Sequence, residues 1–394
     1  MRIAVITPVF PTQASPHQGM FIYNTVRSLR RLAHVDVVKT AIAYPLRGFV
    51  RHKAPQFSRE DSSSSLANEH IQCLDFPGIP LLTRFLNGLS CRLAIESHIK
   101  SLEPDLILAF WTYPEGYAAW KIGRRLNIPV IVGALGSDLL VSKGIGKYLT
   151  KRTVRNVDRV LTVSEDLRAA AISLRAPPER VKTIPNGCDA AIFYRRDRAA
   201  SRNKLGVDSG AHLVLFVGHL LPLKGIPELI AAFSQVRKTI ANAELICIGE
   251  GPLKQTLCAA PSGNGIRTLG AKSSIEIADW LGACDLLCLP SRSEGCPNVI
   301  VEALASGRAV IGTRVGGIPE LLNDSSGILV PFGNVSRLSR AICTGLKRTW
   351  DEDAIARRVT RSWDQVAVET YGVCQEVLAE RHTVGRVIST CAIQ

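Results

Sequence analysis

The chain has 394 residues, 46% of them apolar and 6% aromatic, with 48 Lys and Arg against 34 Asp and Glu. That length carries two or three domains, and the composition is globular, which excludes a disordered or fibrous chain. No run of about 18 apolar residues occurs, which argues against a membrane-spanning helix. The net charge of +14 is uneven: residues 1–190 carry 25 Lys and Arg against 15 Asp and Glu, the remainder 23 against 19. A basic first half points to an anionic partner, whether membrane, nucleic acid or phosphorylated substrate.

The opening MRIAVITPVFP carries one charge and then a short β-rich run. It lacks the longer apolar core and small-residue cleavage site of a signal peptide, and is expected to be a strand. Strands are expected at 2–9, 35–43, 105–111, 129–135 and 159–164, with helices at 20–33 and 115–127. Ser62 to Ser65 marks a loop. Short apolar runs bounded by turn residues, with helices between them, imply a parallel sheet covered on both faces. Pro, Asn and Gly break the pattern in IPNGCDAAIFYRR (184–196), and it then restarts. Strands are expected at 212–220, 243–251, 285–291, 308–313 and 326–331, with helices over IPELIAAFSQVRKT, SIEIADWLGAC and NVIVEALASG. The expected organisation is α/β: one doubly wound domain over 1–188 and a second over 189–361. A helix follows over 362–380, with apolar residues at 363, 366, 368, 371, 374 and 377–378, and then a loose tail over 381–394.

The eleven cysteines form no Cys-x-x-Cys pair, and no His or Cys cluster joins Cys284 and Cys288. Zinc needs about four convergent ligands, so no metal site is expected. Scattered cysteines with apolar neighbours fit small buried side chains in a reducing cytosol.

The densest motif is SRSEGCPNVIVEALASGRAVIGTRVGGIPEL, in which seven residues separate Glu294 from Glu302. Glu294 is expected on the loop at the carboxyl end of a strand. Pro297 is expected at the first helical position, which proline favours, so Glu302 falls about one turn inside the helix. First-turn N–H groups lack internal partners and attract anions. Carboxylates repel phosphate, so the pair is expected to bind hydroxyls on either side of it, as a nucleotide sugar would present them. Alone, two glutamates near a helix N-terminus need mean no more than roughly 0.3–1 kcal/mol of dipole stabilisation.

The segment EGCPNVIVEALASGRAVIGTRVGG resembles the E-x7-E signature of retaining glycosyltransferases of family four, which have the GT-B fold. It looks most like bacterial surface-polysaccharide or teichuronic-acid-type transferases. The resemblance covers nearly the whole chain. MRIAVITPVFP…HQGMFIYNTVRSL resembles the family's opening strand, glycine loop and helix; GALGSDLL, LTVSEDLR, PNGCD, FVGHLLPLKG and IGEGP resemble its later motifs in order and spacing. It implies two Rossmann-like domains facing a cleft, a nucleotide-sugar donor held mainly by the second, and a glycan or polyprenyl-linked acceptor on the first. It also implies retention of configuration and a terminal helix crossing back to the first domain.

By that resemblance Glu294 contacts the donor sugar, Glu302 the ribose, and Lys224 the diphosphate. The backbone of Gly295, Cys296, Pro297 and Asn298 meets sugar or phosphate oxygens. An ammonium at Lys224 would neutralise the leaving phosphate; otherwise it is a solvated turn lysine. Gly19, on the first loop, would let backbone approach a phosphate, or serve a tight turn only. Gly249 and Gly251 fall where the family places nucleotide contacts, although a lone G-x-G is poor support. Asp138 would lie near the cleft and is expected, with Glu294 and Lys224, among the catalytic residues. Two departures stand out. His219 occupies a place where Arg is usual, so diphosphate binding is expected to depend on pH or on another basic residue. Leu135 occupies the place of a common histidine, which removes one candidate base; His17 is a loop alternative.

Asp351–Asp353 has D-x-D spacing but reads as a helix start, so no metal and no cofactor are expected. GIGKY (144–148) lacks the spacing of a P-loop. Residues 142–159 hold Lys143, Lys147, Lys151, Arg152, Arg155 and Arg159 against one acid. That is a solvated basic helix or a face for anionic lipid, at about 1 kcal/mol per cation, with 81–102 an amphipathic neighbour. The expected location is the cytoplasm, peripheral on the inner membrane. No aromatic-basic platform for nucleic acid is present. The rival readings are a nucleotide-sugar epimerase of the same fold and a noncatalytic nucleotide-sugar-binding protein.

Overall fold

The computed structural model describes residues 1–12, 18–43, 71–78, 84–140, 144–258 and 265–391. The chain divides into two compact units, Met1–Pro185 with Trp363–Gln394, and Asn186–Ser362. Ser62 to Ser65 and His17 lie outside the described residues, as do Lys143 and residues 81–83 of the two segments expected to meet lipid.

The first unit is built on a seven-stranded parallel sheet in the order β3-β2-β1-β4-β5-β6-β7. Its strands are β1 (Arg2–Thr7), β2 (His34–Ala43), β3 (Ile71–Pro77), β4 (Leu106–Phe110), β5 (Val130–Ala134), β6 (Arg159–Thr162) and β7 (Val181–Thr183). The helices are α1 (Met20–Leu29), α2 (Asn87–Leu102), α3 (Glu115–Leu126), α4 (Ser137–Leu140), α5 (Gly144–Asn156) and α6 (Glu165–Ser173). Every residue of β4 and β5 is buried, as a parallel strand covered on both faces requires. Strand order reverses between β1 and β4, whose neighbours lie on opposite sides. Such a reversal opens a crevice at the carboxyl ends of the strands.

The second unit repeats the plan with six parallel strands in the order β10-β9-β8-β11-β12-β13. They are β8 (His212–Val217), β9 (Ala243–Ile248), β10 (Ile266–Gly270), β11 (Leu286–Leu289), β12 (Ala309–Thr313) and β13 (Gly327–Val330). The helices are α7 (Arg198–Leu205), α8 (Ile226–Thr239), α9 (Lys254–Cys258), α10 (Ser274–Ala283), α11 (Asn298–Ala305), α12 (Ile318–Leu321), α13 (Val335–Lys347) and α14 (Glu352–Arg357). Here the order reverses between β8 and β11. Both units are Rossmann-like.

Three strands, β3, β7 and β10, have no counterpart among the expected elements. Each is an edge strand. In β3 only Phe76 is buried and in β10 no residue is, while β7 has three residues, so none offers an apolar run. The terminal helix also differs. It is α15 (Trp363–Cys391), so the stretch expected as a tail from 381 is helical through Cys391. It packs on the first unit. Trp363, Val366, Ala367, Val373, Cys374 and Val377 are buried in that unit's core, and Arg31 pairs with Asp364 at 2.8 Å. Val368, expected on the apolar side, is exposed, because it falls outside the 3.6-residue stripe that the other positions trace. Asp351 caps α14, accepting a hydrogen bond from Ala354 N at 2.9 Å. Glu352 is taken up by Arg308 at 2.7 Å and by Arg198. Among the described residues no helix is long and apolar enough to cross a membrane.

Candidate functional site

At the reversal of the second sheet, the loops after β8 and β11 lie against each other. The chain leaves β8 through His219 and a 3-10 turn, Pro222–Lys224, and enters α8 at Gly225. Gly225 has φ +71°, and a Cβ there would stand 2.0 Å from the Pro290 carbonyl oxygen. Only glycine allows that approach. Arg292 N donates to Leu223 O at 2.8 Å and secures the same contact. The result brings Lys224 to Glu294: Nζ donates to Oε1 at 2.6 Å. Ser291, wholly buried, donates its Oγ to the same oxygen at 2.6 Å. Thr313, at the end of β12, donates its Oγ1 to Ser291 O at 2.5 Å. The loop after β12 closes in from the other side, with Gly316 at φ +53° against the Glu294 carbonyl and Gly317 N donating to Gly295 O at 3.0 Å. Glu294 is therefore held from three loops, with both charge-assisted bonds on Oε1. Among the described residues Oε2 accepts none.

Pro297 is the N-cap residue of α11, with φ −71° and ψ 112°, and Asn298 is the first helical residue. This corrects the expected placement of Pro297 by one position. Among the described residues, the N–H groups of Gly295, Cys296, Asn298 and Val299 have no acceptor. Four donors thus remain open at the start of an eight-residue helix, the arrangement that suits an anion. Asn186 fastens this loop by donating Nδ2 to Asn298 Oδ1 at 2.7 Å and to Cys296 O at 3.2 Å. Glu302 is the fifth residue of α11 and half-buried. Its carboxylate has no hydrogen bond or ion pair among the described residues, and burial pushes its pKa up to about 7. Its charge is felt at Cys188, whose thiol is raised to about 12, first by burial and then by Glu302.

Gly249 and Gly251 have a plain packing role. Side chains there would meet Gly218 O at 1.9 Å and Leu220 O at 2.5 Å. Both glycines let the loop after β9 lie along the loop after β8, where Leu220 N donates to Glu250 O at 2.9 Å. His219 stands exposed on that loop. Desolvation, and then the nearby Lys224 charge, push its pKa below the ordinary 6.5.

Gly19 and Asp138 belong to the first unit. Gly19 has φ +74° at the head of α1, and a Cβ would stand 2.8 Å from Val9 C and O. Asp138 is buried, and its carboxylate accepts three backbone N–H bonds: Oδ1 from Leu135 at 3.1 Å and Gly136 at 2.9 Å, Oδ2 from Thr112 at 3.0 Å. It ties the loop after β4 to the loop after β5, and Leu135 packs against the core. Below it, Glu115 at the start of α3 is 2% exposed and accepts Thr40 Oγ1 at 3.0 Å. Burial pushes Glu115 up to about 7 despite that bond, with Asp138 adding to the rise. The sequence reading gave no role to Glu115, Ser291 and Thr313, and held Asn186 only as part of the PNGCD motif. Ser291 had a local signal in its three-residue spacing from Glu294 and Asn186 in its motif; Glu115 and Thr313 are joined to their partners by the fold.

Two families match the chain: Glycosyltransferase Family 4 over residues 18–192 and Glycosyl transferases group 1 over residues 211–348. A Bacillus subtilis protein assigned to teichuronic acid biosynthesis as a glycosyltransferase is 29% identical, over 87% of this chain and 88% of the relative. A D-inositol 3-phosphate glycosyltransferase of Segniliparus rotundus is also 29% identical, over 64% of this chain and 62% of its own length. Among solved structures, sucrose-phosphate synthase from Thermosynechococcus elongatus superposes with a TM-score of 0.75 at 19% identity, covering 96% of this chain and all of that one. Anabaena HepE in complex with UDP and glucose gives 0.72 at 20%, covering 95% and 100%. Together the two family matches span most of the chain, and the chain is a glycosyltransferase of the GT-B type.

Proposed function

We propose that this GT-B-type glycosyltransferase moves a hexose from a nucleoside diphosphate sugar to a hydroxyl of a glycan or polyprenyl-linked acceptor, with retention of configuration, in the making of a cell-surface polysaccharide or glycolipid. One observation carries the reading. At the strand-order reversal of the second unit, a carboxylate is fixed by Lys224 and Ser291 with one oxygen open, and a second carboxylate stands unpartnered one turn into the helix whose N–H groups are free. A nucleotide sugar satisfies all three elements at once. Glu302 accepts from the ribose hydroxyls. The open N–H groups of α11 and the Lys224 ammonium take the diphosphate. Glu294 Oε2 accepts from a hydroxyl of the transferred sugar. The relatives support a cell-surface product, and neighbours holding UDP and UDP-glucose support the donor class.

In the reaction the bond from the anomeric carbon to the phosphate oxygen breaks as a bond to the acceptor oxygen forms on the same face. The departing phosphate oxygen takes the acceptor proton. Lys224 and the helix N–H groups meet the charge that develops on that oxygen, which is where preorganised donors lower a barrier. The reaction is expected to need no metal, because these groups already answer the diphosphate charge. Asp138 acts as a positioning residue in the first unit. The protein is expected to work at the cytoplasmic face of the inner membrane.

A donor screen tests this. Nucleoside diphosphates and their sugars are added in a thermal-shift assay, where ligand at 100 times its dissociation constant stabilises by about 2.7 kcal/mol. The responding donor, labelled in its sugar, is then offered with lipid-linked acceptors. Label passing to the acceptor supports the reading. Stabilisation by no nucleotide at all would overturn it.

A further inference from the structure

We infer that the mouth of the first sheet's crevice seats a pyranose ring of the acceptor, with the indole of Trp111 as the platform on which one face of that sugar lies. The inference deepens the proposed function and rests on its reading of the acceptor as one that carries sugar. Four described residues other than glycine hold a positive φ. Glu103, Asn127 and Arg175 lie at or just past the ends of α2, α3 and α6, where the chain turns out of a helix and that conformation is common. Trp111, at φ +73°, directly follows strand β4 instead. A bulky side chain in this region is strained, and glycine would be at ease there. The neighbours hold it in place. Trp111 N donates to Gly133 O at 3.0 Å, Gly116 N donates to Trp111 O at 2.9 Å, and Thr112 N donates to Asp138 Oδ2 at 3.0 Å. Gly116 allows that approach, because a Cβ would stand 2.7 Å from Trp111 O. At this turn Thr112 Oγ1 and Glu115 Oε2 are buried with no partner among the described residues. Strain and unmet polar groups gather where a fold holds a side chain ready for a ligand.

The surroundings of the ring indicate what it meets. Trp111 is half-buried, as are Phe21 at the start of α1 and Leu135 one residue past β5. All three pack on the same core cluster, and the Phe21 ring centre lies 6.4 Å from that of Trp111. They come after the carboxyl ends of β1, β4 and β5 and so flank the point where strand order reverses, which is where open α/β sheets take ligands. A pyranose has a face of C–H bonds and a rim of hydroxyls. The negative face of an aromatic ring attracts those polarised C–H bonds. A lipid phosphate fits poorly, because the titratable groups at this turn, Asp138 and Glu115, are both acids. A plug over the core needs only apolar bulk, which leucine supplies from the same backbone. A platform needs the aromatic face.

Methyl pyranosides of glucose, galactose, mannose and N-acetylglucosamine are titrated into the full chain saturated with UDP, and binding is read by saturation-transfer NMR. At least one is expected to bind, with saturation strongest on the C–H groups of one ring face. Trp111→Leu should weaken that binding about three- to tenfold and Trp111→Phe no more than about twofold. Trp111→Gly, at ease at φ +73°, should show the same loss from a backbone without strain. Thermal shifts with UDP, read on each variant, show that it is folded. Binding by no glycoside, or by the Leu variant as tightly as by the parent, overturns the inference. So does farnesyl phosphate binding that depends on Trp111 where the glycosides show none, which would mark a lipid chain as the occupant. Failed glycoside binding with an intact UDP shift sinks this inference alone; the reverse result sinks only the proposed function.

Discussion

Glu302→Gln removes a carboxylate that burial holds at about 7 in a site where it has no partner. Its folded-state value lies above the ordinary 4.5. The group therefore contributes its stability fully below about 4.5 and loses it as pH rises through about 7. At pH 8 the ionised side chain weakens the fold. The full difference would be on the order of 3 kcal/mol, and partial exposure to water reduces it to about 1–2 kcal/mol. The amide carries no such charge. The variant's second unit should melt about 2–8 °C higher than the parent at pH 8, with the gap closing toward pH 4.5. Nucleoside diphosphate binding should move the other way. Losing hydrogen bonds between ribose hydroxyls and a charged acceptor costs roughly 1.5–3 kcal/mol, or one to two decades of affinity. Calorimetric melting at both pH values and titration with UDP read the two effects separately. A variant that melts with the parent at pH 8 and binds UDP equally well would refute both the strain at Glu302 and its place at the ribose.

Glu294→Gln should lower turnover at least a hundredfold while diphosphate binding holds or strengthens, because Lys224 loses its carboxylate partner; initial rates and calorimetry on one preparation separate the two. Ser291→Ala leaves Glu294 held by Lys224 alone. It should cost about 1.5–3 kcal/mol in kcat/KM and under threefold in UDP affinity, and an unchanged rate would remove Ser291 from the site. Asp138→Asn turns an amide N–H toward backbone donors and should destabilise the first unit by about 1–3 kcal/mol in denaturant melts, leaving UDP binding intact. Transfer should survive exhaustive EDTA; loss restored by magnesium or manganese would reject the metal-free reaction.

Residue pattern tracked the fold wherever burial was two-sided. The β4 and β5 runs are apolar because helices cover both faces, and that composition is visible without a partner in view. Edge strands such as β3 and β10 give no such signal, since their pairing is decided by a neighbour far along the chain. The site divides the same way. Glu294, Glu302 and the loop between them form one contiguous segment, so their spacing, together with the family signature it resembles, suggested a common ligand. The Lys224 contact depends on Gly225 resting against Pro290, and the support from Thr313 depends on β12 lying beside β11. Neither is a local property. Gly249 and Gly251 carry a second role that the motif did not signal, since both let the loop after β9 lie against the loop after β8.

The bond between Lys224 and Glu294 bears on how the site treats the other anions of a cell. An ammonium already joined to a carboxylate is nearly neutral from a distance, so inorganic phosphate meets little attraction and must displace a short charge-assisted bond to gain one. A sugar nucleotide makes a different exchange. Its phosphate draws on the lysine while its sugar hydroxyl gives the glutamate a replacement donor, so neither side of the broken pair is left bare. The pair thereby discriminates by completeness: a ligand that can answer both charges enters at small cost, whereas inorganic phosphate answers the lysine alone and has no further contact to offset the bond it displaces.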